Sequence, residues 1–413
     1  MNDPDMAQRR PRVMLMLKEY PQISQTYIKN EIEALEQDHD VTIVTRKGPD
    51  IPFQNARPHR YANTVEEFRE IAEEVRPDIL HTHYLSELRF IGALAERTGI
   101  PFTVRTHSFD TVSLRPKSIK GKLKQRLQPP DNPKTTWKGR LWRVVKPAVP
   151  LEKTPWFMQN LRAMDSDLCL GVLNFPCARP WLEAAGVRGD KLIDCFPVVR
   201  YRQFHDRGEN GVDIMNTGVV TPKKAMGDFL KLASRVPDRH FRLYGLGYHV
   251  EQLLAKNDDL GARVEFVDPV QPEDMLAEYK KHRWLVYTAD FDVPAVGWPM
   301  AVAEAQAAGV GVCMPRIRPD LEDYVGRGAG YLYDSIRELP DIIRHPVPPE
   351  MREAGFEQAK KSDIEAHLHR LTDAWRAALP SRTQAPTLPL DGAEDPSVST
   401  STMPEGGTRQ LAR

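Results

Sequence analysis

The chain has 413 residues and balances 57 Lys and Arg against 57 Asp and Glu, so nothing in its net charge indicates a global polyelectrolyte role. Its length predicts about two domains, and 41% hydrophobic residues argue against a wholly disordered or fibrous protein. Four cysteines, Cys169, Cys177, Cys195 and Cys313, show neither CxxC pairing nor metal-ligand spacing and read as reduced, mostly buried thiols.

The apolar run Val13 to Leu17 follows Arg9, Arg10 and Arg12 and is ended by Lys18 and Glu19. That is short of the roughly 7–15 apolar residues of a signal-peptide core, and no segment reaches the roughly 18–20 of a membrane span. The expectation is a soluble, cytoplasmic protein with a flexible N-terminus over 1–11. From residue 12 onward short apolar runs alternate with helical patterns, the sign of βαβ units and a parallel sheet. Strands are predicted over Arg12–Leu17, Val41–Thr45, Ile79–His83, Phe102–His107, Asp167–Val172 and Leu192–Phe196. Ser24 is the predicted N-cap of a helix whose Ile28, Ile32 and Leu35 recur on one face.

The chain then breaks at Pro197–His205 and the polar Asp206–Gly211. A second series follows, with strands predicted over Asp213–Thr217, His240–Tyr244, Val264–Val267, Trp284–Thr288, Val310–Met314 and Gly330–Tyr333. The domains expected are 12–200 and 208–361. A final helical pattern, Ile364 to Leu379, carries Leu368, Leu371, Trp375 and Leu379, and the polar residues 381–413 read as a disordered tail.

The most specific motif is Val296-Gly-Trp-Pro-Met-Ala-Val-Ala-Glu304-Ala-Gln-Ala-Ala-Gly-Val. It resembles the donor-site signature of retaining GT-B glycosyltransferases, Glu-Gly-hydrophobic-Pro followed by Glu-Ala-hydrophobic-Ala-small-Gly. Three segments of the first half, Pro21-Gln-Ile-Ser24-Gln-Thr-Tyr-Ile28, Pro77-Asp78-Ile-Leu-His81-Thr-His83 and Gly99-Ile-Pro101 through His107-Ser-Phe-Asp110, are similar to motifs of the bacterial "glycosyl transferases group 1" family. In the second half Thr217-Gly218-Val-Val-Thr-Pro-Lys223-Lys224 and Tyr244-Gly245-Leu-Gly247 continue the likeness, as does Gln271-Pro272-Glu273-Asp-Met275. Three positions depart from the pattern: Val219 stands for an Arg, Val296 for the first Glu, and Ser108 for a Gly.

The resemblance implies an α/β protein of GT-B architecture, two Rossmann-like parallel-sheet domains facing a central cleft, with a helix at 362–379 returning to the first domain. It implies a retaining hexosyl transfer from a nucleotide sugar to a glycan or lipid-diphosphate acceptor in surface polysaccharide assembly. No cofactor or metal is implied, the nucleotide sugar being a co-substrate. His107 and Lys224 would be catalytic. Gly218, Lys223, Lys224, Gly247, Gly297 and Glu304 would bind the donor, and Ser24, His83 and Asp110 would lie on the acceptor side. Such chemistry leans on cations and aligned N–H dipoles at the departing diphosphate, in a dry cleft.

The residues also admit plainer readings. Glu304 fits a helix N-terminal acid favoured by the macrodipole, Lys224 a solvated lysine, and His107 a hydrogen-bonded core imidazole. His81 and His83 point to one face of a strand, as a metal pair would, and with His107 and Asp110 they could serve a metal-dependent hydrolase. Val296 forgoes a charge-assisted bond worth roughly 1.5–3 kcal/mol to a sugar hydroxyl. Asp290 and Asp292 could replace it. Otherwise the donor differs, or the protein is an inactive GT-B scaffold in a polysaccharide complex. Residues 115–153 hold twelve Lys or Arg against Asp131 and Glu152, with Trp137 and Trp142 among them. This stretch reads as a contact for an anionic membrane at its inner face, or for a lipid-diphosphate acceptor. No nucleic-acid motif is present.

Overall fold

The computed structural model of the chain describes residues 9–111, 114, 154–247, 249–292, 296–376 and 379. The basic segment 115–153, the tail 381–413 and most of the predicted flexible N-terminus lie outside these residues.

Two fully parallel sheets carry the fold. The first comprises β1 (Arg12–Glu19), β2 (Asp40–Lys47), β3 (His59–Tyr61), β4 (Ile79–His83), β5 (Phe102–Arg105), β6 (Cys169–Asn174) and β7 (Leu192–Asp194), in the order β3-β2-β1-β4-β5-β6-β7. The second comprises β8 (Asp213–Val219), β9 (Phe241–Leu246), β10 (Val264–Phe266), β11 (His282–Val286), β12 (Gly311–Pro315) and β13 (Tyr331–Tyr333), ordered β10-β9-β8-β11-β12-β13. All twelve predicted runs became strands, with ends shifted by up to two residues. β5 ends at Arg105, so Thr106 and His107 leave the ladder. The edge strand β3 was missed because it is only three residues, His-Arg-Tyr, with little buried surface.

The continuous apolar runs behave as doubly covered strands should. Val13 to Leu17 are each at most 2% exposed, and all of β12 is buried. Apolar clusters cover both faces of each sheet. Both sheets reverse direction of growth at one place, between β1 and β4 and between β8 and β11. The crevice outside such a switch point, at the carboxyl ends of the strands, is where open α/β sheets hold ligands.

Helix α1 (Thr26–Leu35) buries Ile28, Ile32 and Leu35 as its periodicity predicted. Ser24 is not its cap. Gln25 holds the N-cap position and no side chain caps the helix. The helix Pro349–Lys360 packs on the helix Met300–Ala307 of the second domain. The chain then passes Val199, where Ile364 N–H donates to the Val199 carbonyl at 2.9 Å, and enters the helix Ile364–Arg376. This last helix packs on α1 and β6 of the first domain. Its Trp375, fully buried, joins Val13, Leu35 and Leu173 in one cluster and donates Nε1–H to Thr103 Oγ1 at 2.9 Å. The domains also meet directly, through Lys29 with Glu273 at 2.9 Å and Phe196 against Trp298 with ring centroids 4.8 Å apart.

Candidate active site

A cleft of about 460 Å3 opens between the domains, lined from both. The first domain contributes Ile23 to Tyr27 after β1, Tyr84 after β4, and Arg105 and His107 at the end of β5. The second contributes Thr217 to Lys224 around the end of β8, Tyr244 to Leu246 at the end of β9, Tyr287 after β11, and Val296 to Ala301 with Glu304. Each of these strands meets the cleft at its carboxyl end.

Lys224 sits in the tight turn after β8, half-buried, its Nζ 5.5 Å from the centre of the Tyr287 ring. Burial and the neighbouring Lys223 pull its ammonium down to about 8. Among the described residues no carboxylate pairs with it, so a charged lysine faces the cavity uncompensated. Its path explains Gly218. A Cβ there would lie 2.2 Å from Lys224 Nζ, on a backbone with φ of +128°.

Glu304 lies in the helix Met300–Ala307, 8% exposed, with Tyr279 Oη donating to Oε2 at 2.9 Å. Burial raises its carboxyl to about 7, unlike an ordinary helix-end acid. Upstream, the loop Val296–Pro299 is pinned from behind. The buried Arg318 guanidinium bonds the Val296 carbonyl and pairs with Asp320 at 2.9 Å, and Trp298 Nε1–H donates to Asp320 Oδ2 at 2.8 Å.

On the opposite wall His107 is 9% exposed, its ring flanked by Tyr27 and Tyr84 at centroid distances of 4.5 and 4.3 Å. Burial first, then His83 and Arg105, hold the imidazole well below its ordinary pKa, so it is neutral.

Residues 24–149 match the sequence model of Glycosyltransferase Family 4. No curated protein sequence matches the chain. Among solved structures, HepE of Anabaena, in complex with UDP, is similar with a TM-score of 0.62 at 12% identity, over 89% of this chain and 100% of its own. Sucrose-phosphate synthase of Thermosynechococcus elongatus gives 0.62 at 16% identity, over 89% and 99%. The lipopolysaccharide outer core galactosyltransferase WaaB gives 0.56 at 13%, over 89% and 100%. The chain has the GT-B glycosyltransferase fold.

Within this GT-B cleft the structure brings together Ser24, His107, Gly218, Lys223, Lys224, Gly297 and Glu304. Three predicted residues stand elsewhere. Gly247 is at a turn with φ of +109°, where a Cβ would meet Val219 at 3.1 Å, and shapes the β8 loop from outside the cleft. His83 is fully buried behind His107. Asp110, 1% exposed, accepts from the backbone N–H of His107 at 3.1 Å and of Leu85 at 3.2 Å, with burial raising its carboxyl to about 7. Both lie behind the wall of the cleft. Asp290 and Asp292 do not line the cleft either. Asp290 Oδ1 accepts from the Asp292 N–H at 2.9 Å.

The site includes groups that the motifs did not mark. Glu31, fully buried, lies 2.9 Å from His81 Nε2 and 3.1 Å from His83 Nε2, and pairs with Arg105 at 2.7 Å. Glu31, His81 and His83 are the one cluster with metal-ligand spacing among the described residues. The guanidinium already neutralising Glu31 opposes a cation there. Glu31 was legible in principle, since it stands three residues after Ile28 on the apolar face of α1, where an unpaired carboxylate is costly. No helix among the described residues is long and apolar enough to cross a membrane.

Proposed function

We propose that the chain transfers a sugar, with retention, from a nucleotide-sugar donor to a hydroxyl of a glycan or lipid-linked acceptor. The observation that carries this reading is the uncompensated Lys224 ammonium at the end of β8, sharing one cleft with Glu304 and, on the opposite wall, His107, at the switch points of both sheets. A departing nucleoside diphosphate gathers negative charge. A desolvated, preformed cation beside it stabilises that charge far more than one in water. Lys224 would serve so, aided by Lys223. Glu304 would accept hydrogen bonds from ribose hydroxyls, and the neutral His107 would meet the sugar. Closure of the domains would exclude water and protect the donor. HepE, similar in fold, binds UDP and UDP-glucose, which makes uridine nucleotides the first to test. The scheme uses no metal and needs no cofactor. Surface polysaccharide as the product, and work at the inner face of the membrane, rest on the sequence resemblance and on the basic segment 115–153.

The second reading, an inactive GT-B scaffold, is favoured by Val296, which is 5% exposed and belongs to the apolar cluster around Trp298. One experiment separates the two. Thermal unfolding is followed with UDP, GDP, ADP and their sugar conjugates, beside Glu304→Ala. Ligand at about 100 times its Kd adds about 2.7 kcal/mol. A rise with one nucleotide family that vanishes in the variant supports the donor site, and no rise with any of them favours the scaffold.

A further inference from the structure

The first domain buries four polar side chains, Glu31, His81, His83 and Arg105, whose connections end at the cleft. Glu31 is the hub. Its Oε2 takes Arg105 at 2.7 Å, while Oε1 lies 2.9 Å from His81 Nε2 and 3.1 Å from His83 Nε2. Burial pushes this carboxyl up, but Arg105, His83 and His81 together hold it well below the usual range, so it is ionised. A carboxylate only accepts hydrogen bonds, so His83, bonded to Oε1 through Nε2, must carry its proton there.

His81 is anchored from its other side. Trp375 Nε1–H can only donate, and it reaches Thr103 Oγ1 at 2.9 Å. Thr103 Oγ1 also lies 2.7 Å from His81 Nδ1, so the ring is held on that side too. His83 is neutral, burial holding it at about 4. With its Nε2 proton on Glu31, its Nδ1 bears a lone pair. That lone pair faces His107 Nε2 at 3.0 Å, with the two rings only 18° apart in orientation.

We infer that Glu31 and His83 are positioning residues that fix His107 as its Nε2–H tautomer, leaving Nδ1 as an acceptor for a hydroxyl of the bound sugar or acceptor. Each link follows from the one before it: the carboxylate orients His83, and His83 can only accept, so His107 must donate. Tyr27 and Tyr84 flank the His107 ring, and Asp110 holds its backbone N–H, so the ring has little freedom to turn away. No described residue bonds Nδ1. The role toward a sugar rests on the transferase reading above, whereas the tautomer does not.

The test is therefore spectroscopic and needs no substrate. In ligand-free full-length protein with 15N-labelled histidine, long-range 1H–15N correlations show which ring nitrogen of His107 bears the proton, with His107→Gln identifying its signals. The expected pattern is a protonated Nε2 and a bare Nδ1. A proton on Nδ1 in the unmodified protein would overturn the inference without any further variant.

His83→Asn and His83→Gln then separate acceptor from filler. Asn can place its carbonyl oxygen where Nδ1 stood and should preserve the pattern. Gln places its amide at the Nε2 position, stranding the His107 Nε2–H. A stranded buried donor is disfavoured roughly fivefold to a hundredfold, so the Nδ1–H form should dominate. An unchanged pattern in folded His83→Gln would also overturn the inference. Once a donor is identified, kcat should fall by a similar factor in His83→Gln with nucleotide affinity unchanged, and recover in His83→Asn. The tautomer result stands even if the chain transfers no sugar.

Discussion

Gly218→Ala is the most informative single substitution in the second domain. Residue 218 has φ of +128°, and its new methyl would lie 2.2 Å from Lys224 Nζ, against an ordinary contact of 3.4 Å or more. The backbone strain alone should cost about 1–3 kcal/mol of stability. The collision is with the tip of a flexible side chain, so the ammonium moves aside while the fold survives. Losing a charge-assisted bond to phosphate costs about 1.5–3 kcal/mol, which is roughly 10- to 150-fold in Kd. The assay is calorimetric titration of a nucleoside diphosphate into wild type, Gly218→Ala, Lys224→Met and the double variant. Because the methyl acts through the lysine, the double variant should bind no worse than Lys224→Met alone. Gly218→Ala binding within twofold of wild type, or losses that add fully in the double variant, would refute the reasoning.

Nucleotide affinity should also depend on pH with a narrow maximum. Glu304, raised to about 7, gains its charge and its acceptor strength as pH rises through that value. Lys224, lowered to about 8, loses its cation above it. Binding measured from pH 6 to 9 should therefore strengthen and then weaken. Lys224→Arg should remove the upper limb and Glu304→Gln the lower, and a flat wild-type profile would contradict both assignments. Arg318→Met should destabilise by about 3–5 kcal/mol, because it leaves the Asp320 carboxylate and the Val296 carbonyl without their buried cation. Denaturant unfolding tests this. The additional change Asp320→Asn should recover part of the loss, and a further drop would show that the pair is not coupled as described.

Both sheets were legible because their strands are short, continuous apolar runs between helical patterns, and that signal survives without any knowledge of partners. Ile79–His83 and the helix face Ile28, Ile32 and Leu35 were read at residue level for this reason. Ser24 was misread because Ser-x-x-x-Ile satisfies capping chemistry locally, whereas the loop after β1 is shaped by its place at the cleft. Lys224 after β8 and His107 after β5 could be placed at the cleft because the motif and the strand end coincide in sequence.

What the sequence determined by itself was the alternation of strand and helix, hence two parallel sheets, and the chemical types available at their carboxyl ends. Tertiary structure alone decided which of those groups meet. Glu31, His81, His83 and Arg105 are scattered over three elements of the first domain and converge only when α1 packs across β4 and β5. It also decided that His83 and Asp110 stand behind the cleft while His107 faces it. Side chains two apart on a strand share a face, but how deep each one lies is set by what the rest of the chain packs over it.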